Sequence, residues 1–478
     1  MKYAKLVIEN RSRHTDRLYT YRCADDIRIG QVVKVPFSKG DTKRRGFVFE
    51  IMDDCDLDES KLKEISETED DISLSEEMIE TAIWMRQRYG IKYLDAVNCF
   101  IPRGKAAKKG KEKNPLSDTE GERQDIDNLT EEQKAACEEI NAAIDSGLQT
   151  NFLLKGVTGS GKTEVYMQAA ARAISKGKTV IMLLPEIALT KQITERFIGR
   201  FGKGSCAILH SHLTGRERFD EWSRVRRGEA KIVIGARMAV FAPLENIGLI
   251  ILDEEHESTY KSDMTPKYET VDIAFKRLMH YSGVLLLGSA TPSVVSYQRA
   301  KEGIYKLIEM NTRYNAVELP EMSIVDMRQE LRKGNRSIFS DKLYQSMEEH
   351  LESGEQVILF LNRRGYSSSI SCKDCGNTLM CPDCGISLTY HKKENAAVCH
   401  YCGRHFDIPK ECPECSSKFI KFIGVGTEQV EEFVKKEFKD YETERFDLDT
   451  AKNSREVSAI LRFWLEPNLL QRDWILGM

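Results

Sequence analysis

The sequence predicts an α/β protein built around a parallel sheet, with a small β-rich domain at its amino end and a cysteine-dense insertion near its carboxyl end. Three observations predict it. Between residues 129 and 300, strand-length apolar runs (TVIMLLP, KIVIG, GLIILD, GVLLLGSA) alternate with helical stretches, the order that puts helices on both faces of a parallel sheet. Ahead of them YAKLVIEN, QVVKVPF and RRGFVFEIM have strand character, the last two joined by the turn-rich SKGDTK. Finally, eight of the 13 cysteines fall between Cys372 and Cys415.

Composition narrows the class. The chain of 478 residues has room for about three domains. Hydrophobic residues at 41% and charged residues at 31% exclude wholesale disorder. No apolar run approaches the roughly 18 residues that a membrane span needs, so no membrane partner is expected. The opening MKYAKLVIENRSRHTDR is charged throughout, which argues against a secretory leader and for a cytoplasmic location. Lys and Arg total 71 against 75 Asp and Glu, a balance that says nothing about nucleic acid. Clustered cysteines in a cytosolic chain argue for metal over disulfides.

Taken in order, residues 1–103 form the β-rich domain, closed by the helix SEEMIETAIWMRQRYG between a Ser75 cap and Gly90. Residues 104–128 are polar and read as a linker. Its lysines, Lys105, Lys108, Lys109, Lys111 and Lys113, suit either a solvated tether or phosphate contact. Residues 129–300 form the first α/β lobe and residues 301–371 begin a second. The cysteine insertion occupies 372–415, and the second lobe resumes over 416–461.

The first lobe carries an NTP site. Gly156, Val157, Thr158, Gly159, Ser160, Gly161, Lys162 and Thr163 fit G-x-x-x-x-G-K-[ST] between the strand NFLLK and the helix EVYMQAAARAISKG. The glycines turn backbone N–H groups toward phosphate at a helix N-terminus. Lys162 is expected on the β/γ-phosphates of ATP and Thr163 on Mg²⁺. The buried strand LIIL ends in Asp253, placed to hold Mg²⁺, and Glu254, placed to polarise the attacking water. A lone histidine is often only packed, but Asp-Glu-Glu-His is the helicase form of this motif and assigns His256 to coupling hydrolysis to movement. Gln133, in LTEEQ, suits the edge of adenine.

Further segments suit a motor that tracks DNA. LLPEIALT and IGAR follow strand ends, where loops of an open sheet gather at one rim, and Arg237 is expected on a single-strand backbone. GSATP closes a fourth such strand. Tyr260, Lys261, Lys267 and Tyr268 interleave aromatics with cations, for base stacking and phosphate pairing or simply as buried loop aromatics.

Four C-x-x-C pairs, Cys372/Cys375, Cys381/Cys384, Cys399/Cys402 and Cys412/Cys415, supply eight thiolates for two tetrahedral Cys₄ sites of the type that prefers zinc. Glycine follows three of the second cysteines (Gly376, Gly385, Gly403), as in a metal knuckle. Redox chemistry is the weaker reading, and His391, His400 and His405 are bystanders.

On GVTGSGKTEVY, LLPEIALT, DEEH, GSATPS, FLNRRGYS and GVGTEQVEE, with eight cysteines inserted in the second lobe, the sequence resembles the bacterial primosomal replication restart helicases up to about residue 460. The resemblance implies two RecA-like lobes, the second incomplete here. It implies a 3′→5′ translocase, powered by ATP and Mg²⁺, that binds forked and single-stranded DNA. Its implied partners are primosome proteins, single-strand-binding protein and the loader of the replicative helicase. It also implies nested zinc sites, Cys372, Cys375, Cys412 and Cys415 around Cys381, Cys384, Cys399 and Cys402. The first domain is similar to the family's 3′-end-binding module, with Tyr19, Thr20, Tyr21, Val35, Pro36, Phe37 and Lys63 near the pocket. Thr20 stands where the family usually has Asp.

Two further departures stand out. The family's winged helix is missing between end-binding domain and motor. The sequence also ends RFWLEPNLLQRDWILGM, before a helix bearing an arginine finger. Read back through permitted codons in a shifted frame, this tail becomes I-L-V-G-T-Q-L-I-A-K-G-L-D-F-G-N, the family's missing motif. A frameshift near Leu461 is therefore expected, with residues 462–478 out of frame and hydrolysis crippled. A non-motor fork-binding scaffold is the alternative reading.

Overall fold

The computed structural model describes residues 2–10, 15–38, 40–58, 62–101, 115, 121, 128–185, 191–211, 213–314, 320–361, 368–391, 396–399, 401–423, 427–445 and 474–477. Two compact units divide the chain, Met1–Leu319 and Pro320–Met478.

Alternation in the first unit folds into a five-stranded antiparallel sheet of β1 (Lys2–Ile8), β2 (Leu18–Cys23), β3 (Gln31–Phe37), β4 (Thr42–Met52) and β5 (Glu67–Ser73), in the order β2-β1-β4-β3-β5. Because strand side chains alternate, Ala4, Leu6 and Ile8 join Val33, Val35 and Val48 in one core. Val7, Val32 and Phe47 belong instead to the core shared with α1 (Glu76–Tyr89) and α2 (Tyr93–Phe100). Ser75 caps α1 by accepting from Met78 N, and Gly90 ends it.

The motor lobe follows. It comprises α3 (Glu131–Ser146), β6 (Thr150–Gly156), α4 (Lys162–Ser175), β7 (Thr179–Leu183), α5 (Lys191–Phe201), β8 (Cys206–Leu209), α6 (Gly215–Arg226), β9 (Ile232–Gly235), β10 (Ile247–Leu252), α7 (Thr270–Tyr281), β11 (Val284–Ser289), α8 (Val294–Lys301) and β12 (Lys306–Met310). Its seven parallel strands run β12-β6-β11-β10-β7-β9-β8. The inner strands are buried along their length, as apolar runs in a doubly covered parallel sheet must be. The boundary expected at residue 300 moves: β12 pairs with β6 and completes this sheet, so the second lobe begins later. KLIEM reads poorly as a strand because it lies at the edge, with one face exposed.

The second unit holds α9 (Met327–Arg332), α10 (Asp341–Glu352), β13 (Val357–Leu359), β14 (Ser368–Cys372), β15 (Thr389–His391), β16 (Ala396–Val398), β17 (His405–Phe406), β18 (Ile420–Ile423), α11 (Thr427–Glu437), β19 (Glu442–Arg445) and β20 (Trp474–Gly477). A parallel trio, β13-β20-β19, accompanies a core of Phe339, Met347, Leu351, Leu359, Val430, Val434 and Phe438. The cysteine insertion makes its own antiparallel sheet, β17-β16-β15-β14-β18. Of the expected out-of-frame tail, only 474–477 are described, as the central strand of the trio. Most of residues 104–128, expected to be a linker, with their lysines, lies outside the described residues, as do His400 and the ends of LLPEIALT and FLNRRGYS. Among the described residues no helix is long and apolar enough to cross a membrane.

One buried ion pair joins the first sheet's helices to the parallel-sheet lobe. Arg277 on α7 is fully buried and uses all five of its N–H groups. Its Nε and Nη2 donate to Glu77 Oε1 and Oε2 at 2.9 and 2.8 Å, Nη1 to the Val240 and Ala242 carbonyls at 2.7 and 2.9 Å, and Nη2 to the Leu244 carbonyl at 3.3 Å. Trp222 Nε1 adds a second link, donating to the Phe100 carbonyl at 2.8 Å. Arg277→Met leaves the Glu77 carboxylate and three carbonyls buried without their donor. It is expected to lower unfolding free energy by about 3–5 kcal/mol in denaturant titration of the full chain. Arg277→Lys, with three donors for five acceptors, should recover only part of that loss. An unchanged midpoint in Arg277→Met would remove the pair from this role.

Candidate nucleotide site and metal centres

Strands β6, β11 and β10 are neighbours and all parallel, so the phosphate loop, the GSATP turn and the acidic turn start side by side on one rim. The loop is held in several places. Val157 N donates to the Met310 carbonyl, Ser160 N to the Val157 carbonyl and Tyr314 N to the Gly159 carbonyl, at 2.9–3.0 Å. Gly161 caps α4 at φ 82°, and a Cβ there would sit 2.2 Å from Gln133 Nε2, so only glycine satisfies both backbone and neighbour. Lys162 Nζ donates to the Gly156 carbonyl at 2.9 Å across the loop. The buried Ser160 hydroxyl has no partner among the described residues, an orphan that a nucleotide phosphate fits. Thr163 is half-buried on the first turn of α4.

Gln133 has a structural role at the phosphate loop. Both ends of its buried amide are engaged: Oε1 accepts from Thr130 N at 2.9 Å and Nε2 donates to the Ser160 carbonyl at 3.2 Å. It completes the capping box of α3 and braces the phosphate loop with one of its two Nε2 protons and one of its two Oε1 lone pairs.

Asp253 is 9% exposed at the end of β10. Burial pushes its carboxyl above the ordinary range, against the pull of the Tyr166 phenol and the Lys162 charge. Tyr166 Oη donates to Asp253 Oδ1 at 2.9 Å, and Glu254 N donates to the same oxygen at 3.1 Å. Glu254 has a left-handed backbone, φ 46°, and its carboxyl is raised by burial and by the neighbouring Asp253 charge. Glu255 is structural. Its carboxylate accepts from Ser293 N and from the hydroxyls of Ser293 and Ser296 at the start of α8. His256 Nδ1 lies 2.8 Å from Ser289 Oγ, which accepts from Thr291 N at 3.0 Å, so the acidic turn and GSATP are joined side chain to side chain.

Sequence reasoning missed two features. Tyr166 lies one helical turn beyond Lys162 on the same face of α4, and that i, i+4 spacing was the available signal. The segment after β12 straps the phosphate loop through Met310 and Tyr314 and lays the Arg313 stem 3.8 Å from where a Gly159 Cβ would be. Thr312 adds a hydroxyl bond to Glu132 at 2.8 Å.

Among the expected DNA contacts, Tyr260 and Tyr268 are corrected. Tyr260 is buried, its phenol donating to the Asp253 carbonyl at 2.6 Å with the Leu183 carbonyl 3.1 Å away, between two strand ends. Tyr268 is buried against Phe241, ring centroids 5.0 Å apart. Neither ring is available for stacking. Arg237 is tied to the Thr259 and Lys261 carbonyls at 3.1 and 2.5 Å. Lys261 is exposed and pairs with Glu269 at 3.3 Å, and Lys267 is exposed. In the first sheet Tyr19 packs edge-on to Phe37 at 5.2 Å, Tyr21 donates to the Pro36 carbonyl at 3.0 Å, and Lys63 bonds the Ser38 carbonyl and Asp41. Thr20 lies between the two tyrosines, half-buried.

The eight clustered cysteines converge as two groups, Cys372, Cys375, Cys412 and Cys415, and Cys381, Cys384, Cys399 and Cys402, each with its sulfurs within 4.8 Å of one another. The Sγ–Sγ distances 372–415, 375–412 and 381–402 are 3.6, 3.6 and 3.9 Å. A zinc–sulfur bond of about 2.3 Å in a tetrahedron requires sulfurs about 3.8 Å apart, so two Zn²⁺ fit. All four knuckles repeat one backbone pattern. The residue after each second cysteine donates to the carbonyl of the first (Gly376, Gly385, Gly403 and Ser416, 2.8–3.0 Å) in left-handed conformation. Ser416 does so at φ 57° without the freedom of glycine.

Family models match in three places: a DEAD/DEAH box helicase over residues 130–300, the 3′ DNA-binding domain of PriA over 7–102 and the Cys-rich region of the PriA DNA helicase over 381–405. The replication restart protein PriA of Bacillus subtilis is 49% identical over 322 residues, covering 67% of this chain and 40% of that protein. That of Synechocystis is 44% identical over 342 residues, covering 70% and 41%. That of Treponema pallidum is 36% identical over 458 residues, covering 94% and 68%. The chain thus spans about two fifths of the first two relatives and about two thirds of the third.

With strands of only two or three residues in β15, β16 and β17, the cysteine module has little core besides its own thiols, and metal supplies its stability. Elemental analysis should find two zinc atoms per chain. Cys399→Ser should leave one, with the outer group intact. Loss of both atoms would show the two sites to be one cooperative unit.

Proposed function

Because the chain belongs to the PriA family of replication restart helicases, we propose that it is an ATP-dependent DNA helicase that moves 3′→5′, remodels stalled or abandoned forks and initiates primosome assembly. The observation that carries this reading is the meeting of Lys162, Asp253 and the His256–Ser289 pair on one sheet rim. In it, Lys162 exchanges the Gly156 carbonyl for nucleotide phosphate. Thr163 and Asp253 would hold Mg²⁺, which supplies charge neutralisation at the phosphates. Glu254, its carboxyl raised toward neutrality, takes the proton of the attacking water. His256 passes changes at the acidic turn to Ser289 and so to the GSATP turn, which couples hydrolysis to movement.

The DNA side of the proposal rests on the half-buried Arg237, on the exposed Lys261 and Lys267, and on the first sheet, where Tyr19 and Lys63 are the proposed contacts to a 3′ end. Partners in this reading are forked and single-stranded DNA, primosome proteins, single-strand-binding protein and the helicase loader, all in the cytoplasm. Lys162→Ala is expected to weaken binding of a fluorescent ATP analogue about 10- to 100-fold, the worth of a lost charge-assisted hydrogen bond, while fork affinity is retained. Unchanged nucleotide affinity would overturn the site. Fork binding by the parent chain without DNA-stimulated hydrolysis would favour the scaffold instead.

A further inference from the structure

Asp253 needs one carboxylate oxygen for metal and something to hold the other. Oδ1 is spoken for by Tyr166 Oη at 2.9 Å and by Glu254 N at 3.1 Å, while among the described residues no hydrogen bond is made to Oδ2. The phenol has no room to turn away. Tyr166 is fully buried, and an ideal Cβ on Gly288 would fall 1.7 Å from its oxygen, so the ring lies directly on the backbone of the GSATP strand end. Glu255 N donates to the Gly288 carbonyl at 3.0 Å and ties the acidic turn to that same residue. A single hydroxyl therefore touches three motifs, on α4, β10 and β11.

We infer that Tyr166 is a positioning residue for nucleotide-bound Mg²⁺: its hydroxyl clamps Asp253 Oδ1 and leaves Oδ2 as the metal-facing oxygen. The inference rests on the proposed role of Asp253 as a Mg²⁺ ligand. A phenol suits this place. It donates one proton, and that proton goes to Asp253 Oδ1. Phenylalanine keeps the ring and removes only the hydroxyl, the atom nearest Gly288, so it isolates what the hydroxyl contributes.

The test measures binding of a fluorescent ATP analogue to the full chain, in EDTA and in excess Mg²⁺. The parent chain should bind more tightly with Mg²⁺. Tyr166→Phe should keep its affinity in EDTA and lower the melting temperature only by what one buried hydrogen bond contributes, but lose about 10-fold of the Mg²⁺ enhancement, as expected for one charge-assisted hydrogen bond. Gly288→Ala, which pushes the phenol off the carboxylate, should lose it too. Asp253→Asn separates the two claims. If Asp253→Asn abolishes the enhancement while Tyr166→Phe retains it, the clamp is wrong and the ligand assignment stands. If Asp253→Asn itself retains it, the assignment fails and the clamp with it. An equal loss in EDTA and Mg²⁺ for Tyr166→Phe would reduce the residue to packing and overturn the inference.

Discussion

The first unit is organised by the demands of one guanidinium. Arg277 lies where α7, the end of α1 nearest the first sheet and the segment 240–244 meet, and each of its five donors has an acceptor. Thr81 adds a hydroxyl bond to the same Glu77 carboxylate, and Phe100 lies under the guanidinium with its centroid 5.6 Å away. In a dry environment such a network admits little adjustment, because any shift orphans a buried acceptor. The two helices after the first sheet therefore share a core with the parallel-sheet lobe. The same carbonyls follow the turn that carries Arg237, so the arginine fixes that turn as well.

Most of the motor sheet was legible because a strand buried on both faces has no choice of residues. Ile247–Leu252 and Val284–Ser289 are apolar almost throughout, and the polar residues that follow can only be rim residues. What was not legible is where a hydroxyl or amide points. Tyr260 and Gln133 looked like ligand-binding groups, yet strand and loop ends beside them expose carbonyls that need donors, and these side chains supply them. Tyr166 was the reverse. It passed for one more apolar position of an amphipathic helix, and only the tertiary fold brings its hydroxyl to Asp253. Edge strand β12 escaped because only Ile308 and Met310 of its five residues are buried, too short a pattern to read as a strand.

In the cysteine module the residue types and spacing were enough for eight ligands and two sites, and the nested grouping came through resemblance. The repeated knuckle was visible at three glycines and hidden at the fourth, because Ser416 adopts the left-handed turn by force of its neighbours. The Cys412 carbonyl that accepts from Ser416 N and the Cys412 N–H that donates to the Ser417 carbonyl hold it there. Local propensity yields at that turn to the geometry of the cluster.

The strap after β12 has a mechanical meaning. It is the last described stretch before the chain leaves the first unit, and it is stitched to the phosphate loop at Val157 and Gly159 and to α3 at Glu132. A pull applied at Tyr314 therefore falls on the carbonyls of Met310 and Gly159 and on the Thr312–Glu132 bonds, so this segment and the phosphate loop move together or not at all.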